Sequence, residues 1–231
     1  MSDNIIHLDP MKYSAETICW QATPLPPDSI HIIKANLAEV RPLHTHWLNS
    51  SELQRLDSLK NTIAAQQFVA SRNLLHNVLS SYIQVSPDIL QLATRPGGKP
   101  FITNNGHTLE FNLSHSNGIA LLAVSQKIPL GIDIELIKSS RQTLNIAARI
   151  FSPAEYNRLL KTSPPLQELC FYEMWTEMEA RQKAYGSGIF GDRVSKSDVT
   201  FERVAGISNY CATIAWQKQP FSPQIQLFRY T

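Results

Sequence analysis

Two acidic residues lie inside an otherwise apolar stretch. Asp133 and Glu135 belong to the segment "GIDIE", within residues 119–137, "IALLAVSQKIPLGIDIELI". Residues two apart in a strand point to the same face, so both carboxylates share one face while Ile132 and Ile134 point into a core. Neighbouring carboxylates repel unless a cation neutralises them, and Mg²⁺ prefers carboxylate, water and phosphate oxygens. The pair therefore indicates either a metal site or a solvated strand face.

A third acid lies on a helix predicted over residues 167–188, "QELCFYEMWTEMEARQKAYGSG". Trp175, Glu179 and Lys183 are spaced i, i+4 and i+8, so they share one face of that helix. A glutamate on a face that begins with a tryptophan needs a partner. That partner is either a metal ion or Lys183 in an ordinary surface ion pair.

The elements that position these residues follow from hydrophobic periodicity. Helices and strands alternate in two successive groups, which is typical of an α+β fold rather than of repeated βαβ units. The predicted elements are a strand over 30–37, helices over 50–83, strands over 109–137, helices over 152–160 and 167–188, and strands within 199–229.

Two helix starts and one helix end have local signals. Ser51 is the predicted cap of the first helix. Ser152, Pro153 and Glu155 form a predicted capping box at the start of the helix over 152–160. The long helix is expected to end at Gly186 or at the glycine two residues later.

Composition narrows the class of protein. The chain has 231 residues, 17% charged residues and a net charge of +2, with no dense Lys/Arg stripe, so a nucleic-acid partner is not expected. It lacks an apolar run of membrane-spanning length and the features of a secretory signal. Cys19, Cys170 and Cys211 form no CxxC pair and are predicted to be free thiols. A cytoplasmic protein without membrane contact is expected.

Five sequence blocks occur in an order that resembles one enzyme family. They are "GGKP", "FNLSHS", "GIDIE", "RIFSPAEYNRLL" and "FYEMWTEMEARQKAYGSGI", within residues 97–189. Together they resemble the 4′-phosphopantetheinyl transferase superfamily, in its long form of the surfactin-synthetase-activating type. The resemblance implies two pseudo-symmetric α+β lobes with the active site at their interface. The lobes are expected at residues 1–128 and 129–231.

The resemblance also implies an activity. Family members move the 4′-phosphopantetheine arm of coenzyme A to a serine of an apo acyl, peptidyl or aryl carrier protein. The other product is adenosine 3′,5′-bisphosphate. A Mg²⁺ ion, or Mn²⁺ in its place, is the implied cofactor, and coenzyme A is the co-substrate. The long family form completes its site within one chain, so a monomer is expected.

Site residues follow from the matching motif positions. Asp133, Glu135 and Glu179 are the implied ligands of the metal ion, which in turn bridges to the pyrophosphate of coenzyme A. Glu155 is the candidate base for the carrier serine, with the capping box as its alternative role. A metal-bound water near Glu179 is another candidate acceptor. Lys183 is expected to lie against the phosphates and to stabilise developing charge.

The remaining blocks are implied to bind coenzyme A. Lys99 follows a Gly-Gly turn whose backbone can approach the ligand closely. Ser114 and His115 resemble family residues that contact phosphates. Arg72 lies where family members carry a basic residue for the 3′-phosphate, whereas Arg55 is interpreted as a solvated helix charge.

The chain departs from the family pattern at three positions. Met178 replaces a lysine that usually precedes the motif glutamate, and Gln66 and Gln67 stand where a basic residue is often found. These losses motivate a second hypothesis, a degenerate protein that binds coenzyme A or a carrier protein without transferring anything. A metal-dependent phosphohydrolase is a third, because three carboxylates also suit that chemistry.

Overall fold

The computed structural model describes residues 18–19, 24–95, 97–104, 106–139, 142–186 and 198–230, and it has the predicted α+β composition. The helices are α1 Ser50–Ser58, α2 Thr62–Ile83, α3 Thr143–Ile150, α4 Pro153–Lys161 and α5 Pro164–Tyr185, with 3₁₀ turns at Thr45–Trp47 and Pro87–Ile89. The strands are β1 Ile18–Cys19, β2 Ser29–Asn36, β3 Leu92–Thr94, β4 Pro100–Ile102, β5 Glu110–Ser116, β6 Ile119–Ser125, β7 Leu130–Leu136, β8 Val199–Arg203, β9 Tyr210–Gln217 and β10 Gln224–Arg229.

The larger sheet has five strands in the order β1-β10-β2-β6-β5. Strand β10 runs parallel to β2, with Gln224 opposite Ser29 and Arg229 opposite Lys34. The last strand of the chain therefore lies beside a strand from its beginning. The predicted division into lobes at residues 1–128 and 129–231 stays a prediction. The pairing of β10 with β2 joins a strand of the second range to a sheet of the first.

The smaller sheet positions the acidic pair. It is antiparallel, in the order β7-β9-β8, and Asp133 lies opposite Thr213 in the register of β7 and β9. Helix α5 packs against β7 and β9. Strands β3 and β4 form a separate hairpin that carries the "GGKP" segment between them.

Two layers of apolar side chains hold these parts together. Helix α2 covers one face of the larger sheet, where Leu74 and Leu122 are fully buried. The other face of that sheet packs against the smaller sheet, through a cluster that includes Ile32, Ile132 and Ile134. Burial of an isoleucine side chain stabilises a fold by about 1.5–3 kcal/mol. The predicted inward direction of Ile132 and Ile134 is confirmed, so β7 must turn its acidic residues the other way.

The start of α1 differs from the prediction. Asn49 caps this helix: its side chain accepts a hydrogen bond from the Glu52 amide at 3.0 Å, and Glu52 Oε2 accepts one from the Asn49 amide at 3.1 Å. Ser51 lies inside the first turn and was wrongly predicted as the cap. Asparagine caps as well as serine does, and a glutamate three residues later completes the capping box.

The other helix ends follow the sequence more closely. The capping box of Ser152 and Glu155 at the start of α4 is confirmed. Helix α5 begins at Pro164, three residues before the predicted start, because proline suits the first turn of a helix. It ends at Gly186, whose φ of 71° is a left-handed conformation that favours glycine. The alternative end two residues later lies outside the described residues.

No described helix is long and apolar enough to cross a membrane. Cys170 and Cys211 are buried free thiols, as predicted, and the side chain of Cys19 lies outside the description.

Candidate active site between β7 and α5

The acidic pair of β7 faces helix α5. Asp133 is only 3% exposed and Glu135 is partly buried. The helix can approach this strand because residue 131 is glycine. A Cβ atom at Gly131 would overlap the Ala180 carbonyl oxygen and the Ala184 amide nitrogen. The glycine of "GIDIE" thus sets the distance between the two elements that carry the acids.

Helix α5 brings a cation and a third acid to Asp133. Lys183 Nζ donates to Asp133 Oδ1 at 2.6 Å and lies 3.7 Å from Glu179 Oε2. It also lies 3.4 Å from both Ser114 Oγ and the Ile132 carbonyl oxygen. The structure therefore brings together Asp133, Glu179, Lys183 and Ser114, four of the predicted site residues.

A row of polar side chains on β5 fixes the acidic strand. Ser114 Oγ donates to Asp133 Oδ1 at 2.9 Å, and Ser116 Oγ donates to Glu135 Oε2 at 2.8 Å. Asn112 Oδ1 accepts a hydrogen bond from the Ile132 amide at 2.9 Å.

The positioning roles of Asn112 and Ser116 were not predicted from the sequence. Their signal was the alternation in "FNLSHS", which places Asn112, Ser114 and Ser116 on one face of the strand.

The pKa values of the acids show that they influence one another. Burial raises the pKa of Glu179, Lys183 offsets part of that rise, and Asp133 and Glu135 add to it. Burial also raises the pKa of Glu135, against the hydrogen bond from Ser116, and Asp133 raises it further. Among the described residues, these three carboxylates outnumber the lysines that act on them, which are Lys183 and, at Glu135, Lys138.

The donor chemistry of this cluster fits a hard cation. Asp133 Oδ2 is buried and has no hydrogen-bond partner among the described residues. Carboxylate oxygens are the protein ligands that Mg²⁺ prefers. Within the described ranges, however, no three acidic, histidine or cysteine side chains converge on one ion position. Lys183 lies between Asp133 and Glu179 instead, so a metal ion shared by these two acids would require the lysine to move.

A cavity of about 340 Å³ opens beside the cluster. Lys99 lies in its wall, where Nζ donates to Glu110 Oε2 at 3.2 Å and to the Leu130 carbonyl oxygen at 3.0 Å. Burial lowers the pKa of Lys99, and Glu110 opposes that shift. Other residues in the wall are Arg72, Gly97, Gly98, Glu179 and Lys183.

A second cavity, of about 380 Å³, shares Arg72 and Gly98 with the first. Arg72 Nε lies 2.7 Å from Glu52 Oε1. His115 also lines this cavity, and its pKa is lowered by burial and then by Arg72 and Lys183. Arg55 is exposed, as predicted, and yet it lines the cavity too.

Ser114 and His115 lie on opposite faces of β5, as neighbours in a strand do. Ser114 contacts Asp133 in the acid cluster, whereas His115 lines the cavity of Arg72. The "LSHS" segment therefore contributes Ser114 to the acid cluster and His115 to the cavity that contains Arg72.

Comparison with known proteins shows a family likeness in the part of the chain that carries the acid cluster. Residues 129–226 match the model of the 4′-phosphopantetheinyl transferase superfamily. The match covers 98 of the 231 residues, so this part of the chain is similar to that superfamily. The 4′-phosphopantetheinyl transferase HetI of Nostoc sp. strain PCC 7120 is 33% identical over 144 residues, which cover 62% of this chain and 61% of the relative.

Two further relatives are similar over comparable regions. A putative 4′-phosphopantetheinyl transferase of Synechocystis sp. strain PCC 6803 is 30% identical over 65% of this chain and 61% of its own length. The 4′-phosphopantetheinyl transferase Sfp of Bacillus subtilis strain 168 is 35% identical over half of each chain. The chain thus matches about half to three fifths of the length of these relatives.

Two positions of the transferase motif have contacts outside the acid cluster. Glu155 Oε2 accepts hydrogen bonds from the Ser152 amide at 2.9 Å and from Ser152 Oγ at 2.7 Å. This is its capping-box role, and Glu155 does not line the two cavities described above. Its role as a base stays a prediction. Met178 packs against an apolar cluster of α3, α4 and α5 that includes Phe171 and Met174.

Proposed function

We propose that this protein transfers the 4′-phosphopantetheine arm of coenzyme A to a serine of an apo acyl, peptidyl or aryl carrier protein. Adenosine 3′,5′-bisphosphate is the other product. The observation that supports this most is the buried contact of Asp133, Glu179 and Lys183, which opens on a cation-lined cleft. The match to the superfamily model over residues 129–226 and the names of the relatives agree with it. A monomer acting in the cytoplasm completes the proposal.

The cleft suits a substrate with several phosphates. Lys99, Lys183 and Arg72 line the first cavity, and Arg55 and His115 join Arg72 in the second. Charge-assisted hydrogen bonds from lysine and arginine are among the strongest contacts that a phosphate makes. The proposed pyrophosphate position is beside Lys99 and Lys183, with the nucleotide end toward Arg72.

Asp133, Glu135 and Glu179 would hold Mg²⁺, or Mn²⁺ in its place. When bound there, the ion would polarise the pyrophosphate and stabilise the leaving phosphate. The orphaned Oδ2 atom of Asp133 and the raised pKa values of Glu135 and Glu179 support a cation at this position.

The transfer needs one new bond and one proton acceptor. The serine oxygen forms a bond to the phosphorus that carries pantetheine. The bond between that phosphorus and the bridging oxygen of the pyrophosphate breaks, and the adenosine-side phosphate leaves with the electron pair. A water beside Glu179 is the proposed acceptor of the serine proton, because Glu179 itself would hold the ion and lies beside Lys183. Lys183 would stabilise the charge that develops on the phosphates. Glu155, the acceptor predicted from the sequence, is tested separately below.

Intact-protein mass spectrometry tests the proposal. An apo carrier protein is incubated with this protein, coenzyme A and Mg²⁺, in parallel with the Asp133→Ala variant. We expect a gain of one phosphopantetheine on the carrier, lost with a chelator and reduced about a hundredfold or more in the variant. An Asp57→Asn variant, changed on the exposed surface of α1, is the matched control and should behave as wild type.

Two results would contradict the transferase. Coenzyme A binding without transfer to any carrier type would indicate a degenerate binding protein. Met178 was one reason for that reading, because it replaces a lysine. Its side chain packs in an apolar cluster, however, which speaks against a charge having been lost from the cleft at this position. Phosphate release without a carrier protein would indicate a phosphohydrolase.

A further inference from the structure

The Lys183 ammonium lies against the acids that are proposed to hold the metal ion. Its Nζ atom is 2.6 Å from Asp133 Oδ1 and 3.7 Å from Glu179 Oε2. A Mg²⁺ ion bonded to a carboxylate oxygen lies about 2.1 Å from it. An ion held by both Asp133 and Glu179 would lie between their carboxylates, where the Lys183 ammonium now contacts both, so two like charges would come into close contact. A metal ion shared by Asp133 and Glu179 therefore requires one of the two partners of the Lys183–Asp133 ion pair to move.

Lys183 is the partner that can move. Its side chain is 28% exposed, against 5% for Asp133. Asp133 is held by the hydrogen bond from Ser114, on a strand whose neighbouring residues Ile132 and Ile134 are fully buried. Lysine carries its charge on a flexible four-carbon stem. Lys183 also lines the cavity of about 340 Å³, so its ammonium has space on the side where the phosphates are proposed to bind.

We propose that Lys183 is a mobile counter-charge that couples metal binding to pyrophosphate binding. It neutralises Asp133 while the metal is absent and moves to the substrate phosphates when the metal takes its place. This inference rests on the proposed function, because it requires a metal ion and an anionic substrate at one site.

The coupling has a thermodynamic consequence. A metal ion alone must displace Lys183 without giving it a new partner, so it binds weakly. Coenzyme A supplies that partner through its phosphates, and the metal then binds more tightly. By linkage, the metal increases the affinity for coenzyme A by the same factor. Typical coupling between two sites is about 5-fold to 150-fold.

Titration of the purified full chain with Mn²⁺ tests this inference by calorimetry or by electron paramagnetic resonance. Each protein is titrated with and without coenzyme A. The test variant is Lys183→Met, which keeps an unbranched side chain and removes the charge. The matched control is Lys161→Met, a change at an exposed lysine near the end of α4. Unfolding in the presence of a chelator confirms that each variant folds, and Lys183→Gln replaces Lys183→Met if that variant does not.

Without coenzyme A, we expect Lys183→Met to bind Mn²⁺ about 5-fold to 150-fold more tightly than wild type. Coenzyme A should increase the wild-type affinity for Mn²⁺ more than it increases that of the variant. Lys161→Met should match wild type in both titrations. A Lys183→Met variant that binds Mn²⁺ no more tightly than wild type overturns the coupling.

The transfer assay is scored separately from the titrations. A chain that transfers phosphopantetheine but shows no effect of Lys183→Met on Mn²⁺ binding contradicts the coupling alone. A chain that shows the coupling and transfers nothing contradicts the proposed function. Absence of Mn²⁺ binding to all proteins, with or without coenzyme A, overturns the coupling together with the metal site.

Discussion

Two ion pairs of nearly equal length lie in regions of opposite character. Lys183 Nζ is 2.6 Å from Asp133 Oδ1, and Arg72 Nε is 2.7 Å from Glu52 Oε1. Around the first pair, Glu135 and Glu179 add negative charge. Around the second, Arg55 and His115 line the same cavity as Arg72.

The difference shows that an ion pair does not by itself define what a site binds. The surplus charge around the pair decides it. The region of Asp133 has more acids than bases and suits a cation. The region of Arg72 has more basic groups than acids and suits an anion. The two cavities share Arg72, Leu75, Gly98 and Pro100, so a metal–diphosphate ligand joined to a nucleotide would reach both regions at once.

The largest expected effect comes from disrupting the acidic region, where α5 packs on β7. Gly131→Ala places a Cβ atom against the backbone of α5 at Ala180 and Ala184, so the helix must shift away from β7. We expect the free energy of unfolding to fall by about 1–3 kcal/mol, as in other overpacked contacts. Phosphopantetheine transfer should fall with it, because Glu179 and Lys183 move away from Asp133. Urea unfolding and the mass assay measure the two effects.

Binding of coenzyme A without metal supplies the control for Gly131→Ala. The Arg72 cavity is built mainly by α1, α2, β3, β4 and β5. The affinity of the variant for coenzyme A should therefore change less than its transfer rate does. Wild-type stability and transfer in this variant would show that α5 is not positioned by the glycine.

The local features of both regions could be predicted from the sequence, because they depend on neighbouring residues. The alternation in "GIDIE" correctly predicts which side chains of β7 enter the core, and "SPAE" correctly predicts the cap of α4. The cap of α1 was misassigned, since Asn49 and Ser51 are both suitable capping residues and only the backbone geometry distinguishes them.

Features that join distant parts of the chain could not be predicted in the same way. The contact of Ser116 with Glu135 and that of Lys183 with Asp133 depend on how β5 and α5 pack on β7. The position of β10 beside β2 depends on a pairing across nearly the whole chain. Local periodicity carries no information on such pairings, whereas the family motifs did indicate that Asp133, Glu179 and Lys183 act together.

A smaller effect is expected at Glu155, a carboxylate that lines neither cavity. Glu155→Ala removes the side chain that accepts from the Ser152 amide and should destabilise the protein by about 1 kcal/mol. Glu155→Gln retains an acceptor for the capping box and should keep nearly wild-type stability. If the cap is its whole role, the glutamine variant also transfers phosphopantetheine at nearly the wild-type rate. A hundredfold loss in a stable Glu155→Gln variant would instead establish Glu155 as the proton acceptor.

A substitution at Glu52 tests whether the cationic region around Arg72 binds the nucleotide end of coenzyme A. Glu52→Gln keeps the capping box of α1 and removes the negative charge beside Arg72. Exposed or partly exposed ion pairs contribute about 0.2–1 kcal/mol, so the affinity for coenzyme A should rise by up to roughly fivefold. The affinity for 3′-dephospho-coenzyme A, measured by the same calorimetry, should rise less if Arg72 faces the 3′-phosphate. Equal changes for both ligands would place that phosphate elsewhere.

The smallest expected effect is a pH dependence that marks the acidic region. Burial raises the pKa of Glu135 above its ordinary value of 4.5, so the folded protein binds this proton more tightly than the unfolded chain does. Without metal, stability from this group is greatest below that ordinary value and is lost as the pH rises through the higher folded pKa. Glu135→Gln, which can still accept from Ser116, should therefore raise the thermal midpoint relative to wild type at pH 7 and not at pH 4. Saturating Mg²⁺ with coenzyme A should reverse the order at pH 7, since the carboxylate then gains a cation. A variant with the same midpoint as wild type at both pH values would show that Glu135 is already neutralised without the metal.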